Sequence, residues 1–319
     1  MAKAAATLYF SICVSGFFIC VSCGDYSSFT LPSPEGAPRD VKWRWRAEPE
    51  ALVLPALGES DALNPSVANG KLFYSVFDQK TWHTVVESKR ILSPEAWEGD
   101  YIAANGSAVY RDGEYFQWYQ AAGPDEPKIG FATSGNGAIW NKHRWPVLEG
   151  GPRGAWDEKG VGDPYVIDRG GTFYMFYLGQ DRAQRQRIGL AMSKDGKQWT
   201  RLKANPLIEP GEPGEFDENG VGEPAVWSSH GAWWMLYTGR ARNEERRLGL
   251  AKSPDGVRWE KVKGFTIAGD QPWNSKTMCD PHAEPQPGGA VKVWFGGGDK
   301  AHPAEGVNGR VGVGYLTPE

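Results

Sequence analysis

A chain of 319 residues with 35 Lys and Arg against 39 Asp and Glu carries a formal net charge of −4, and no run of like charge interrupts it. It offers no basic footprint for nucleic acid, which excludes that class of partner. Its 15 Trp, 41 Gly and 23 Pro set large apolar side chains among turn formers, a mixture that suits many short strands and points to an all-β fold.

The first element is a leader. After Lys3 no charge occurs until Asp25, and Ala4 to Ser22 is mostly apolar or small. Residues 1–22 are therefore expected to be a secretory signal peptide, too weakly hydrophobic at its ends for a permanent membrane span. Val21-Ser22-Cys23 before Gly24-Asp25 resembles a bacterial lipobox, with Cys20 where Leu is usual. Lipidation at Cys23 would make an exported lipoprotein, periplasmic or at the cell surface, that meets the membrane only through its anchor; simple secretion is the alternative. Cys279 is the one Cys beyond this segment, so a disulfide within the mature chain would need Cys23. Residues 23–54 read as a lipidated tether and lead-in.

From residue 55 onward one sequence unit recurs. Its clearest copy runs Gly160-Val161-Gly162-Asp163-Pro164, Thr172 to Gly179, Arg187-Ile188-Gly189-Leu190-Ala191, Ser193-Lys194-Asp195-Gly196 and Trp199. It returns as Gly220-Val221-Gly222-Glu223-Pro224, Trp233 to Gly239, Arg247-Leu248-Gly249-Leu250-Ala251, Ser253-Pro254-Asp255-Gly256 and Trp259. Other copies begin at Asn64-Pro65, Asn105-Gly106 and Asp280-Pro281. Each unit offers three or four short strands separated by hairpin signals such as Asp-Gly and Gly-Gly. A four-stranded antiparallel sheet repeated about an axis is a propeller blade, so residues 55–319 are expected to form a five-bladed β-propeller around a central funnel.

In such a fold the first strand of every blade lies against the axis, and equivalent residues converge on the funnel. Here they are Asn64, Asn105, Asp163, Glu223 and Asp280. Glu is an odd choice if the position only caps a turn. A charged Asp163 beside Glu223 would hold the Glu protonated near neutral pH, and a proton donor with a charged partner is what cleavage of a glycosidic bond requires. The same acids read equally as holders of a structural cation, or as hydrogen-bond partners across the axis.

The Asp-Pro and Glu-Pro starts, the Tyr174-Met175-Phe176-Tyr177 strand and the Ile-Gly-Leu-Ala, Ser-x-Asp-Gly and Trp endings resemble the five-bladed propeller glycosidases. That superfamily of arabinanases, invertases and levansucrases spans glycoside hydrolase families 43 and 32 and the related mannoside-acting family 130. The resemblance implies a carbohydrate substrate and no required cofactor, and it admits a structural calcium ion at the central funnel. In families 43 and 32 three acids act, from the first, third and fourth blades. By that pattern Glu223 falls on the general acid and Asp163 on the acid that tunes its pKa. The first-blade base or nucleophile is here Asn64, whose amide neither accepts a proton nor attacks an anomeric carbon. Asp61 and Asp280 are then the candidate bases, and inversion is expected over retention. Family 130 also begins with Asn-Pro, which makes Asn64 a candidate substrate-binding group, although the Arg that follows its Asp-Pro is here Tyr165; Asn105, at the same funnel position of its repeat, is a further substrate-binding candidate. A glycoside phosphorylase and a non-catalytic glycan-binding surface lipoprotein are the alternative readings.

Arg182 and Arg240 follow the aromatic strands, where they would either bind substrate at the funnel rim or stand as solvated loop charge. Trp97, Trp156, Phe216 and Trp273 recur seven or eight residues before the funnel position, a spacing expected of blade packing. His282 resembles a fifth-blade His that helps hold a cation in some arabinanases, against a reading as plain polar surface. Trp82 and His83 are candidates for the funnel mouth.

Overall fold

Each repeat of the sequence folds as an antiparallel meander in the computed structural model, which describes residues 26–123 and 126–319. The expected leader and Cys23 lie outside the described residues. In the third repeat the strands are Gly160–Arg169, Thr172–Gln180, Gln186–Ser193 and Thr200–Leu202, each paired with the next. Gly170 and Gly171, with φ of +59° and +70°, make the first turn, a conformation that costs Gly nothing sterically. The Ser-x-Asp-Gly signal makes the turn into the fourth strand. Ser193 Oγ accepts the Gly196 N–H at 2.9 Å, Asp195 Oδ1 accepts those of Lys197 and Gln198, and Trp199 Nε1 donates back to the Gly196 carbonyl. The described residues are all-β apart from two single-turn helices, Ala96–Glu98 and Pro272–Asn274.

The first strands of the repeats are Asp61–Ala68, Ile102–Arg111, Gly160–Arg169, Gly220–Ser229 and Thr277–Pro285. Each lies against the next in that order, and the last lies against the first. Hydrogen bonding groups the strands into three sheets. Short parallel bridges, Trp82 to Ile102 and Arg246 to Thr277, join the first meander to the second and the fourth to the fifth.

The lead-in departs from the expectation of a tether. Trp43–Ala47 pairs antiparallel with Arg310–Pro318 and supplies the outer strand of the fifth meander. Ahead of it, Leu31 is buried, the Pro32 carbonyl accepts a hydrogen bond from Trp233 Nε1, and Tyr26–Ser27 pairs with Arg201–Leu202. Sequence spacing hides this, because the strand and its partner lie at opposite ends of the chain.

The recurrent aromatics hold the meanders. Trp156 fills the space where a Cβ on Gly179 would stand, as Phe216 does for Gly239 and Trp273 for Gly297. The residue after each aromatic is a buried acid in three repeats. Asp157 accepts from Tyr177 Oη at 3.2 Å and from Arg201 Nε at 3.1 Å, and Asp217 from Tyr237 Oη at 3.1 Å and Lys261 Nζ at 2.6 Å. Glu98 meets Tyr119 and Lys142 in the same way. In the fifth repeat the Tyr becomes Phe295 and the acid becomes Asn274, so a neutral pair replaces a neutralised charge. Acid, phenol and cation therefore form one structural group, since a buried carboxylate without its partners carries a large desolvation cost. Replacing Asp157 with Ala is expected to lower unfolding free energy by about 3–5 kcal/mol, measured in urea, because Arg201 is left without its counter-charge. Asp157→Ala combined with Arg201→Met should recover part of that loss, and equal stability of parent and single variant would remove this group from the account.

Candidate active site

Every first strand contains the same irregularity at the funnel position. The register with the second strand shifts between Leu63 and Ser66, Ala104 and Ser107, Gly162 and Tyr165, Gly222 and Ala225, and Cys279 and His282. Within each shift one non-glycine residue is left-handed: Asn64 at φ +50°, Asn105 at +50°, Asp163 at +43°, Glu223 at +49° and Asp280 at +49°. A bulge of this kind re-aims a side chain, at a backbone cost of about 1–3 kcal/mol for each such residue. Asn and Asp tolerate the conformation, whereas Glu gains nothing locally from it. Glu223 is thus held there by its surroundings.

The re-aimed side chains floor a cleft of about 200 Å³. Asn105, Asp163, Glu223 and Asp280 line it, together with Gln120, Gln180 and Arg240 from the ends of second strands. Gln186 and Arg246, which begin third strands, add a second polar tier, and Trp82, Tyr101 and Ile102 give an apolar wall. A smaller cavity of about 10 Å³ lies beneath and shares Asp163, Glu223 and Asp280 with the cleft. Asn64 and His282 face this lower space only.

Hydrogen bonds link the floor residues. Asn105 Nδ2 donates to Asp163 Oδ1 at 3.4 Å, the Asp280 N–H to Glu223 Oε2 at 3.0 Å, and the Asn64 N–H to Asp280 Oδ2 at 3.3 Å. Cys279 Sγ stands 3.1 Å from Asp280 Oδ2. Burial and then the charge of Glu223 push the Asp163 carboxyl up to about 7. Burial, Glu223 and Asp163 raise Asp280 well above the usual carboxylate range. Asp163 and Asp280 thus retain protons toward neutral pH, beside Glu223, whose Oε2 accepts a backbone N–H and which stands near Arg246. Burial opposes the Arg246 charge, but Glu223, Cys279 and Asp280 outweigh it and hold its pKa above the ordinary value.

Several sequence-derived candidates fall elsewhere. Asp61 is fully buried and does not line the cleft; Oδ1 accepts the Gly309 N–H at 2.8 Å, and Oδ2 accepts the Gly306 N–H at 3.0 Å and Ser60 Oγ at 2.9 Å. Those bonds make it a loop anchor in place of a base. Asp280 does lie at the floor, but an oxygen of its carboxyl is within 4.8 Å of one from Glu223. The two residues are further joined by the Asp280 N–H, which Glu223 Oε2 accepts at 3.0 Å. Arg182 is exposed and pairs with Glu158 at 2.8 Å, outside the cleft, whereas Arg240 lines it beside Glu244. Trp97, Trp156, Phe216 and Trp273 stay out of the cleft, and of the mouth candidates Trp82 lines it while His83 bonds Asp78 and Ser93.

The calcium expectation does not fit these residues. His282 is packed beside Tyr165, its Nε2 accepts the Val67 N–H at 3.3 Å, and burial lowers its pKa to about 4. The acids near one point are joined by the Cys279 thiol, a soft donor, whereas calcium requires a shell of oxygens.

Arg246, Tyr101, Gln186 and Glu305 were not singled out by the sequence. Gln186 and Arg246 carried a signal: they occupy one repeat position, directly before the Arg-Ile-Gly and Arg-Leu-Gly segments.

Asp163 also links the site to stability. Its folded pKa lies above the ordinary Asp value, so its contribution is complete below about pH 4 and is lost as pH rises through about 7. Asp163→Asn is therefore expected to flatten the fall in urea stability between pH 4 and 7.5 and to exceed the parent at the upper end. Parallel curves for the two proteins would show that this carboxyl titrates normally.

The family model described as "Glycosyl hydrolases family 32 N-terminal domain" matches residues 78–279. Beta-fructofuranosidase, insoluble isoenzyme 4, of Oryza sativa subsp. japonica is 28% identical over 197 residues, which cover 53% of this chain and 29% of the rice protein. The 1,2-beta-oligomannan phosphorylase of Thermoanaerobacter sp. (strain X514) is 28% identical over 136 residues, 40% of this chain and 44% of its own. The chain spans about half or less of the length of such curated relatives. A thermostable family-43 glycoside hydrolase of known structure is similar in fold, with a TM-score of 0.61 at 14% identity over 82% of this chain and 90% of that one.

Proposed function

The chain belongs to glycosyl hydrolases family 32 through that N-terminal domain, and from this premise we propose that it is a glycoside hydrolase acting on an oligo- or polysaccharide. The observation that carries the reading is the cleft floor, where Asp163, Glu223 and Asp280 converge and the set retains a proton toward neutral pH. Coupled acids hold their protons as a group. Glu223, with the longest side chain of the three, is the group that meets the glycosidic oxygen, while Asp163 and Asp280 keep a proton within reach of it. Arg246 offsets the charge that remains. The apolar wall of Trp82, Tyr101 and Ile102 suits the C–H face of a sugar ring, and Gln120, Gln180 and Arg240 suit its hydroxyls.

We read the fold behind this site as a five-bladed β-propeller. The cyclic order of first-strand neighbours and the outer strand lent by Trp43–Ala47 support that reading. We further read the leader and Cys23 as an export and lipidation signal that holds the domain at a membrane surface. A phosphorylase is the second reading, favoured by the oligomannan phosphorylase relative and by two cations, Arg240 and Arg246, at the cleft.

Incubation with fructo-, manno-, arabino- and xylo-oligosaccharides is expected to release sugar without added phosphate. Glu223→Gln should lower kcat by about 100-fold or more, the usual scale for loss of a proton-transferring group. Turnover that requires phosphate would favour the phosphorylase, and a variant as fast as its parent would remove Glu223 from the chemistry.

A further inference from the structure

A carboxylate to activate water is missing from the floor: Asn64 occupies the first-repeat position, Asp61 is consumed by a loop, and Asp280 lies against Glu223 and retains its proton toward neutral pH. We propose that Glu305, on the loop 299–309, is the base that activates the attacking water. This rests on the hydrolase reading above.

Loop 299–309 joins the second and third strands of the fifth repeat. Its counterparts in the third and fourth repeats, 181–185 and 241–245, are much shorter. The longer loop brings Pro303, Ala304 and Glu305 into the wall of the cleft that Asp163, Glu223 and Asp280 floor. Arg246 Nη2 donates to the carbonyls of His302, Pro303 and Ala304 at 3.0, 3.1 and 3.4 Å, which ties the loop to the same cation that faces the acids. From the other side Asp61 receives the N–H groups of Gly306 and Gly309, and Thr277 Oγ1 donates to the Lys300 carbonyl at 2.8 Å. A solvated surface loop needs neither a fully buried carboxylate nor a buried guanidinium to hold it. These bonds fix the backbone on both sides of Glu305.

The side chain is positioned too. Tyr101 Oη donates to Glu305 Oε2 at 2.8 Å, and Oε1 has no protein partner among the described residues. Tyr101 is itself set by its carbonyl, which accepts the Trp82 N–H at 2.8 Å. One oxygen is thus oriented by a neutral donor, and the other is free to receive a proton from water. Glu305 takes that proton as the water oxygen bonds to the anomeric carbon, the bond from that carbon to the leaving oxygen breaks, and the leaving oxygen receives the proton delivered through Glu223. One proton enters and one leaves the protein, and this single displacement inverts the anomeric centre.

The experiment compares Glu305→Gln, Tyr101→Phe and Glu223→Gln on the oligosaccharide that the parent cleaves and on the glycosyl fluoride of the same sugar. Glu305→Gln should lower kcat about 100-fold or more on both substrates, with KM within about three-fold and an unchanged melting curve, and its pH profile should lose the acidic limb. Glu223→Gln should recover on the fluoride, which leaves without needing a proton. Tyr101→Phe should lower kcat several-fold with KM little changed, because the carboxylate loses the donor that orients it. A Glu305→Gln protein within three-fold of the parent, or one rescued by the fluoride as Glu223→Gln is, overturns the role of Glu305 and leaves the hydrolase reading standing. A parent that cleaves no glycoside overturns both.

Discussion

The molecule depends on one backbone distortion made five times. Four of the five left-handed residues, Asn64, Asp163, Glu223 and Asp280, precede proline, which normally pushes its neighbour toward extended geometry. The surrounding strands must therefore impose the conformation, and they do so by pairing regularly on both sides of each bulge. Where first strands lie side by side, the bulges aim their side chains at a common floor. Without them the alternation of a regular strand would send these residues into the faces of the sheets.

Two populations of buried acid follow from the same repeat, and their partners separate them. Glu98, Asp157 and Asp217 each meet a phenol and a cation, so their charges are neutralised within the packing. Asp163 and Asp280 face each other and Glu223 with one shared cation nearby, and their protonation moves accordingly. Chemistry is concentrated where the repeat withholds a private counter-charge.

Much of this was legible in the sequence. The Gly-x-Gly-acid-Pro segments of the third and fourth repeats, with their Asn105-Gly106 and Asp280-Pro281 counterparts, isolate the floor residues, and the spacing of the aromatics identifies them as packing, because both signals are periodic. What escaped is aperiodic or depends on distant partners. Glu305 lies in a loop that is much shorter in the third and fourth repeats, Asp61 is consumed by backbone groups more than two hundred residues away, and Trp43–Ala47 has its partner at the far end of the chain. Arg246 escaped for a related reason: its place beside Glu223 and Asp280 is set by the pairing of neighbouring repeats.

The seam between Trp43–Ala47 and Arg310–Pro318 has a consequence for biogenesis. The early strand has no other sheet partner among the described residues, so it waits through synthesis of nearly the whole chain before it can pair. Pairing at such sequence separation is slow, and an unpaired strand in the interval is exposed to wrong partners. Asp280 and loop 299–309 also arrive late, so the cleft and the seam are completed in the same final step. A nascent chain therefore stays open at both its seam and its cleft until its last strand has emerged.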